Sequence, residues 1–200
     1  MPLTILALNC TLKPSGVSST QKLLEQAIAA FGKDCKAETV RVAALNILPG
    51  VTSDEGKGDD WPALRKKIVA ADILLLGSPI WMGQPSSVVK RVLERMDAFL
   101  EETDEQNRTP AYGKVAAVVV VGNEDGAHHV SAELFQALAD VGFTIAAGGP
   151  SYWVGEAMGD VDYKDLKKTP EKTGLTNRML ARNTAHLAAL LKASPYPGYE

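Results

Sequence analysis

The feature that most constrains the fold is a series of short, continuously apolar segments. Residues 115–121 contain five valines among seven positions, and residues 73–76 read Ile-Leu-Leu-Leu. A strand that is apolar at every position must be covered on both faces, as happens in parallel sheets packed between helices. The sequence therefore predicts an α/β fold in which helices flank a parallel sheet.

The predicted elements alternate along the chain. Apolar runs and helical periodicity predict strands over 3–8, 39–42, 73–76, 115–121 and 143–147, and helices over 18–31, 61–71, 85–100, 129–141 and 176–191. We place Pro85 in the first turn of the third helix. We expect one domain, residues 1–200, with a long loop over 148–174, and a solvated insertion over 49–60. Alternation alone fits several doubly wound folds.

Composition excludes several classes of protein. The chain has 200 residues, of which 46% are hydrophobic and 22% charged, and a net charge of −3. That balance gives no broad attraction to nucleic acid or to an anionic membrane, and no apolar run approaches the roughly 20 residues that span a bilayer. Two isolated cysteines, Cys10 and Cys35, make no disulfide framework and, with three histidines, no zinc site. We expect a cytoplasmic protein without a metal.

The loop after the first strand is rich in hydroxyl groups. In doubly wound sheets, ligands bind beyond the carboxyl ends of the strands, so this loop is informative. It carries Lys13 and the hydroxyls of Thr11, Ser15, Ser18, Ser19 and Thr20 at the start of a helix, a setting that favours an anion. It lacks the Walker A and GxGxxG patterns. The alternative is that Ser18 only caps the helix, with Gln21 completing a capping box.

The loop after the third strand places an aromatic side chain in a turn bounded by glycine and proline. Trp81 lies within Gly77-Ser78-Pro79-Ile80-Trp81-Met82-Gly83-Gln84-Pro85. A planar side chain at the end of a strand could flank a flat ring, and the backbone amides beside it could bind the edge of that ring. The alternative is a tryptophan that covers the edge of the core.

The loop after the fourth strand offers polar groups between glycines. Gly122-Asn123-Glu124-Asp125-Gly126 allows the backbone to approach a ligand closely. The alternative is an exposed turn in which Asp125 caps the next helix.

Taken together, these three loops resemble those of the flavodoxin-like NAD(P)H-dependent FMN reductases and quinone reductases. The resemblance runs roughly from Leu3 to Leu191, and its middle motif is the most specific. It implies a three-layer, doubly wound, five-stranded parallel sheet of order 2-1-3-4-5. It also implies FMN as cofactor and NADPH or NADH as electron donor.

The resemblance assigns residues to the cofactor by position. Those implied to bind phosphate are Thr11, Lys13, Ser18, Ser19 and Thr20; those implied to line the flavin ring are Pro79, Ile80, Trp81, Met82 and Gly83, with Asn123, Glu124, Asp125 and Gly126 on its other side. Lys13 stands where many members have arginine, and Cys10 replaces a common glycine. No side chain is named as catalytic, because the flavin carries the hydride chemistry.

Three functions are carried forward. The first is an FMN-dependent NAD(P)H oxidoreductase that passes hydride through flavin to free flavin, a quinone or a similar small acceptor, as a homodimer or homotetramer. The second is a flavodoxin-type electron carrier without nicotinamide turnover, and the third is a non-enzymatic domain that has lost flavin. Because residues 148–174 contain four anchors, Tyr152, Trp153, Met158 and Tyr163, we expect them near the flavin or at a subunit contact. The alternative is a loop pinned on its own core.

Overall fold

A computed structural model describes residues 2–33 and 35–199; Met1, Asp34 and Glu200, which the predicted domain includes, lie outside it. Within the described residues, the strands are β1 (Leu3–Asn9), β2 (Cys35–Arg41), β3 (Ile73–Trp81), β4 (Gln84–Pro85), β5 (Val115–Gly122), β6 (Thr144–Ile145) and β7 (Ser151–Val154). The α-helices are α1 (Ser19–Ala30), α2 (Trp61–Ala70), α3 (Ser87–Met96), α4 (Ala127–Asp140) and α5 (Glu171–Ala193).

The strands form a parallel sheet of order β2-β1-β3-β5-β6, with β7 also beside β5. In the described part of the chain only β4 runs antiparallel, as a hairpin partner of β3. Since β5 is the fourth long strand and β6 with β7 forms the outer edge, the predicted flavodoxin-like order 2-1-3-4-5 is confirmed.

Alternate residues of each central strand enter two separate cores. Leu74 and Leu76 of β3 pack toward α2, α3 and α4, whereas Ile73 and Leu75 pack toward α1 and α5. Side chains of a strand point alternately to opposite faces, so a sheet covered on both sides needs apolar residues throughout.

Among the helices of the described residues, none combines the length and the apolar character that a membrane span requires.

The outer edge differs from the prediction of one strand over 143–147. It is divided into β6 and β7, which both pair in parallel with β5. Gly148 and Gly149, both with positive φ, followed by Pro150, interrupt the pairing. The predicted loop over 148–174 therefore contains strand β7, which ends at the same edge of the sheet as β5.

The start of α3 was also predicted wrongly. Pro85 belongs to β4, where it pairs with Ile80, and Ser86 is the N-cap that accepts a hydrogen bond from the N–H of Val89 at 3.2 Å. Because a serine hydroxyl satisfies a free N–H of the first turn, the helix begins after Ser86. α3 also ends at Met96, and a 3-10 turn replaces its predicted last residues.

Candidate functional site

The loops that follow β1, β3 and β5 meet at one edge of the sheet, around a cavity of about 720 Å³. The segment that follows β7 closes a fourth side with residues 158–164, which we call the fourth wall. The residues that line the cavity are Thr11, Leu12, Lys13, Val17, Ser18, Ser19, Thr20, Pro79, Ile80, Trp81, Met82, Val121, Gly122, Asn123, Glu124, Trp153, Met158, Gly159, Asp162, Tyr163 and Lys164. Three distant parts of the sequence therefore share one site, as the three-loop prediction required.

The first loop turns into α1 at Ser18. Its hydroxyl oxygen accepts a hydrogen bond from the N–H of Gln21 at 3.2 Å, so Ser18 is the N-cap. The second half of the expected capping box is different: the side-chain oxygen of Gln21 accepts from Asn9 Nδ2 at 2.8 Å. Ser18 caps the helix and also lines the cavity, so the capping alternative and a ligand role are compatible.

Cys10 anchors the first loop to the second. Its N–H donates to the carbonyl oxygen of Gly77 at 2.9 Å, and the Ser86 hydroxyl donates to the carbonyl oxygen of Cys10 at 2.7 Å. The side chain is fully buried, and burial raises the pKa of the Cys10 thiol. An uncharged, enclosed thiol is a poor nucleophile, so Cys10 is a small core residue.

The second loop is a tight hairpin that presents Trp81 at the mouth of the cavity. Trp81 pairs with Gln84, and the two residues between them, Met82 and Gly83, have φ of 52° and 73°. Two successive positive φ values are typical of a type I′ turn. Trp81 is 53% exposed, so it does not serve mainly to cover the core.

Glu124 of the third loop binds this hairpin. Its two carboxylate oxygens accept hydrogen bonds from the N–H groups of Met82, at 3.1 Å, and Gly83, at 3.0 Å. Gly126 supports the same contact, because a Cβ there would lie 2.8 Å from the carbonyl oxygen of Gly83. Gly126 is also the N-cap of α4, without a side-chain cap, so the alternative in which Asp125 caps α4 is wrong.

The fourth wall is fixed to the third loop through Asn123. Asn123 Nδ2 donates to Asp162 Oδ1 at 3.0 Å, and its carbonyl oxygen accepts from the N–H of Met158 at 2.9 Å. The rings of Trp153 and Tyr163, which also line the cavity, lie 5.2 Å apart, and burial raises the pKa of Tyr163 to about 12. The aromatic anchors thus bring the segment to the cavity, as one of the two interpretations expected.

The fourth wall also contacts the first loop. The N–H of Lys164 donates to Ser19 Oγ at 3.1 Å, and Lys22 Nζ donates to the carbonyl oxygens of Lys164 and Leu166. The wall is therefore attached at both ends of the cavity by main-chain groups.

The structure brings together eleven of the fourteen residues that the resemblance implied. Gly83, Asp125 and Gly126 are not among the lining residues; Gly83 and Gly126 lie close to each other where the hairpin meets the third loop. Sequence reasoning assigned no ligand role to the fourth-wall residues Gly159, Asp162 and Lys164. No local motif marks them, and only the neighbouring aromatics indicated that their segment is anchored.

The fold and the cavity define a flavodoxin-like α/β protein whose site lies at the carboxyl edge of the sheet, where such folds bind ligands. The sequence model of the family described as NADPH-dependent FMN reductase matches residues 3–159. The chain belongs to this family, which places it among the FMN-dependent oxidoreductases.

Curated proteins and solved structures are similar to this chain over nearly its whole length, among them two curated proteins and one crystal structure. The 8-demethyl-8-aminoriboflavin-5'-phosphate synthase of Streptomyces davaonensis is 33% identical, over 98% of this chain and 81% of that protein. The crystal structure of RosB with a bound intermediate, 8-demethyl-8-formylriboflavin-5'-phosphate, is 32% identical, with a TM-score of 0.89 over 97% of this chain and 82% of that one. A protein of Mycobacterium bovis named divalent metal cation transporter MntH is 32% identical over 96% of this chain, which spans only 29% of its length.

Proposed function

We propose that this chain is an FMN-binding, NAD(P)H-dependent oxidoreductase that passes hydride through flavin to free flavin, a quinone or a similar small acceptor. The observation that carries the proposal is that a hydroxyl-rich helix start and an exposed tryptophan open onto one cavity. Family membership supports the same conclusion.

The cavity suits a flavin mononucleotide in size and in the distribution of its polar groups. Its volume of about 720 Å³ is within the usual range for cofactor sites. One end offers hydroxyl groups, Lys13 and the N-terminus of α1, which together favour a phosphate. The other end offers Trp81 and the hairpin beside it, which favour a flat ring.

Bound FMN would supply hydride transfer between a nicotinamide and the acceptor. The chain's own residues bind and orient: Thr11, Lys13, Ser18, Ser19 and Thr20 hold the phosphate, and Pro79, Ile80, Trp81 and Met82 line the ring, with Asn123 and Glu124 across the cavity. Gly83, Asp125 and Gly126 shape the backbone of the ring site. No side chain is required as an acid or base.

An assay of electron acceptors tests the proposal. Protein loaded with FMN is mixed with NADPH or NADH, and oxidation of the nicotinamide is followed with free FMN, a water-soluble quinone or no added acceptor, under nitrogen. Turnover that depends on an added acceptor supports the proposal. A protein that binds FMN but oxidises neither nicotinamide would contradict the proposal and would favour an activity without nicotinamide turnover, such as that of a flavodoxin-type electron carrier.

A second candidate function is modification of the flavin itself. The Streptomyces davaonensis relative is named as a synthase of a riboflavin 5'-phosphate derivative, and its similarity extends over 98% of this chain. On this candidate, riboflavin 5'-phosphate in the cavity is a substrate. Mass spectrometry of flavin extracted after incubation separates the two: an unchanged mass favours the oxidoreductase, and a changed mass favours flavin modification.

We also propose that the chain acts as a cytoplasmic homodimer or homotetramer. Exposed apolar side chains at the rim of the cavity, including Leu12, Val17, Met82 and Met158, would be covered by a second copy or by the acceptor. Sedimentation of the FMN-loaded protein distinguishes these states from a monomer.

A further inference from the structure

The stretch from Asp162 to Lys164 bridges the two ends of the cavity. Asp162 is bound to Asn123 of the third loop, and the N–H of Lys164 is bound to Ser19 of the first loop. Both residues line the cavity, and both follow position 159, where the match to the family model ends. They are therefore features of this chain that the matched region does not contain.

Charged side chains of both signs line the cavity. Its lining contains four charged side chains, those of Lys13, Lys164, Glu124 and Asp162. Lys13 belongs to the first loop with the hydroxyl groups, and the N–H of Lys164 is bound to Ser19 of that loop. Glu124 binds the hairpin, whereas Asp162 contacts both Asn123 and the ammonium group of Lys164. A phosphate monoester carries close to two negative charges at neutral pH, so it favours the first loop, where Lys13 and the hydroxyl groups lie and to which the backbone of Lys164 is bound.

Lys164 is held in place by carboxylates without being buried. Its Nζ lies 2.6 Å from Asp162 Oδ2 and 2.6 Å from Asp165 Oδ2, and its side chain is 30% exposed. Hydrogen bonds to Asp162 and Asp165 raise the pKa of Lys164, so the amine stays charged. An ammonium group has three N–H donors, and these two contacts leave one for another anion.

We propose that Lys164 is a second phosphate-binding cation, beside Lys13, and that Asp162 competes with the phosphate for it. The inference rests on the proposed function, since it concerns the phosphate end of the same site. Main-chain groups of Lys164 attach the wall to Ser19 and Lys22, so the ammonium group is free to exchange a carboxylate for a phosphate.

Titration with FMN and with riboflavin, which lacks the phosphate, tests this role by quenching of flavin fluorescence. Lys164→Met should weaken the binding of FMN about tenfold, because one charged hydrogen bond to phosphate is lost. The affinity for riboflavin should stay nearly unchanged. Asp162→Asn should have the opposite effect and increase the affinity for FMN relative to that for riboflavin. The competing charge is removed, while an oxygen that accepts a hydrogen bond from Asn123 remains.

Two further variants complete the design. Lys164→Arg should retain most of the preference for FMN, and Lys168→Met, which removes an exposed lysine of the same segment, should leave both affinities unchanged. If Lys164→Met weakens both flavins equally, or neither, the proposal is overturned and the wall is only structural. If Asp162→Asn fails to increase the preference for FMN, the competition is overturned. If the unaltered protein binds neither flavin, the proposed function itself is contradicted. That result differs from every outcome that would overturn only the role of Lys164.

Discussion

The carboxylate of Glu124 accepts a hydrogen bond from the N–H of Gly83 at 3.0 Å, and so joins two loops that lie 41 residues apart. The same carboxylate binds the N–H of Met82, a non-glycine residue with positive φ. A carboxylate that accepts two backbone hydrogen bonds stabilises this otherwise unfavourable turn. The position of Trp81 at the cavity therefore depends on the third loop as well as on the hairpin.

Gly126→Ala should disturb this contact. Its φ of 127° disfavours any side chain, and a Cβ would lie 2.8 Å from backbone atoms of Gly83. We expect a loss of about 1–3 kcal/mol in the free energy of unfolding, measured in urea, and weaker binding of both FMN and riboflavin. Gly32→Ala is the matched control, because its φ of 77° is also positive but nothing lies within 4 Å of the added Cβ. An equal effect of both variants on flavin affinity would contradict the role of Gly126 in the close packing of the third loop against the hairpin.

Ser18→Ala combined with Thr20→Ala should weaken FMN, by roughly 1.5–3 kcal/mol for each charged hydrogen bond lost. Because Ser18 is also the N-cap of α1, its loss should lower stability by about 1 kcal/mol.

Ser18→Asp separates these two effects. Aspartate is a good N-cap, so stability should be kept, while its negative charge at the phosphate end should abolish the preference for FMN over riboflavin. Unchanged FMN affinity in Ser18→Asp would remove the phosphate assignment of this loop.

Trp81→Leu should weaken FMN and riboflavin to the same extent, by about 0.5–1.5 kcal/mol. The physical reason is that an aromatic side chain at the cavity mouth contacts the ring, which both flavins share. Fluorescence titration of the two flavins measures this directly. A loss confined to FMN would place Trp81 at the phosphate end instead.

Asp59→Asn should lower the free energy of unfolding by about 3–5 kcal/mol, because it leaves the buried guanidinium of Arg95 without its counter-charge. The two side chains lie 2.8 Å apart and are both 0% exposed. Arg95 also donates to the carbonyl oxygens of Leu48 and Thr52, so it anchors the insertion over 49–60. Most residues of this insertion are exposed, as its predicted solvation requires.

The same ion pair predicts a pH dependence. Burial alone would raise the pKa of Asp59, but the Arg95 guanidinium and the N–H groups of Glu55, Trp61 and Leu48 hold it well below its usual range. The stabilisation is therefore complete above the unfolded pKa, about 3.9, and is lost as the pH falls further. Urea unfolding between about pH 5 and 3 should show a steeper decline for the unaltered protein than for Asp59→Asn. Equal slopes would contradict this account.

Sequence alone predicted the central sheet well, because β3 begins with the continuous apolar run 73–76 and β5 contains the apolar run 115–121. The prediction failed at positions where the local backbone conformation determines whether a strand or a helix forms. Nothing in the pattern around Gly148 and Gly149 shows that the edge resumes as β7, and Pro85 suits a helix start as well as it suits a strand.

The candidate site was predictable where polar residues form local motifs, as in the loops around Ser18 and Trp81. It was not predictable where the residues are ordinary charges brought in by tertiary contacts. Lys164 and Ser19 are 145 positions apart, and no spacing rule connects them. Tertiary contacts of α1, such as those of Lys22 Nζ with the carbonyl oxygens of Lys164 and Leu166, bring their segments together.

The central claim is that three separated loops enclose a flavin mononucleotide that a nicotinamide can reduce. The most direct test is the visible absorbance spectrum of protein incubated with FMN, passed through a desalting column and then treated with NADPH or NADH under nitrogen. The account predicts that FMN stays with the protein and that its visible band bleaches with at least one nicotinamide. Protein that emerges colourless, or whose bound flavin keeps its band with both nicotinamides, would contradict it.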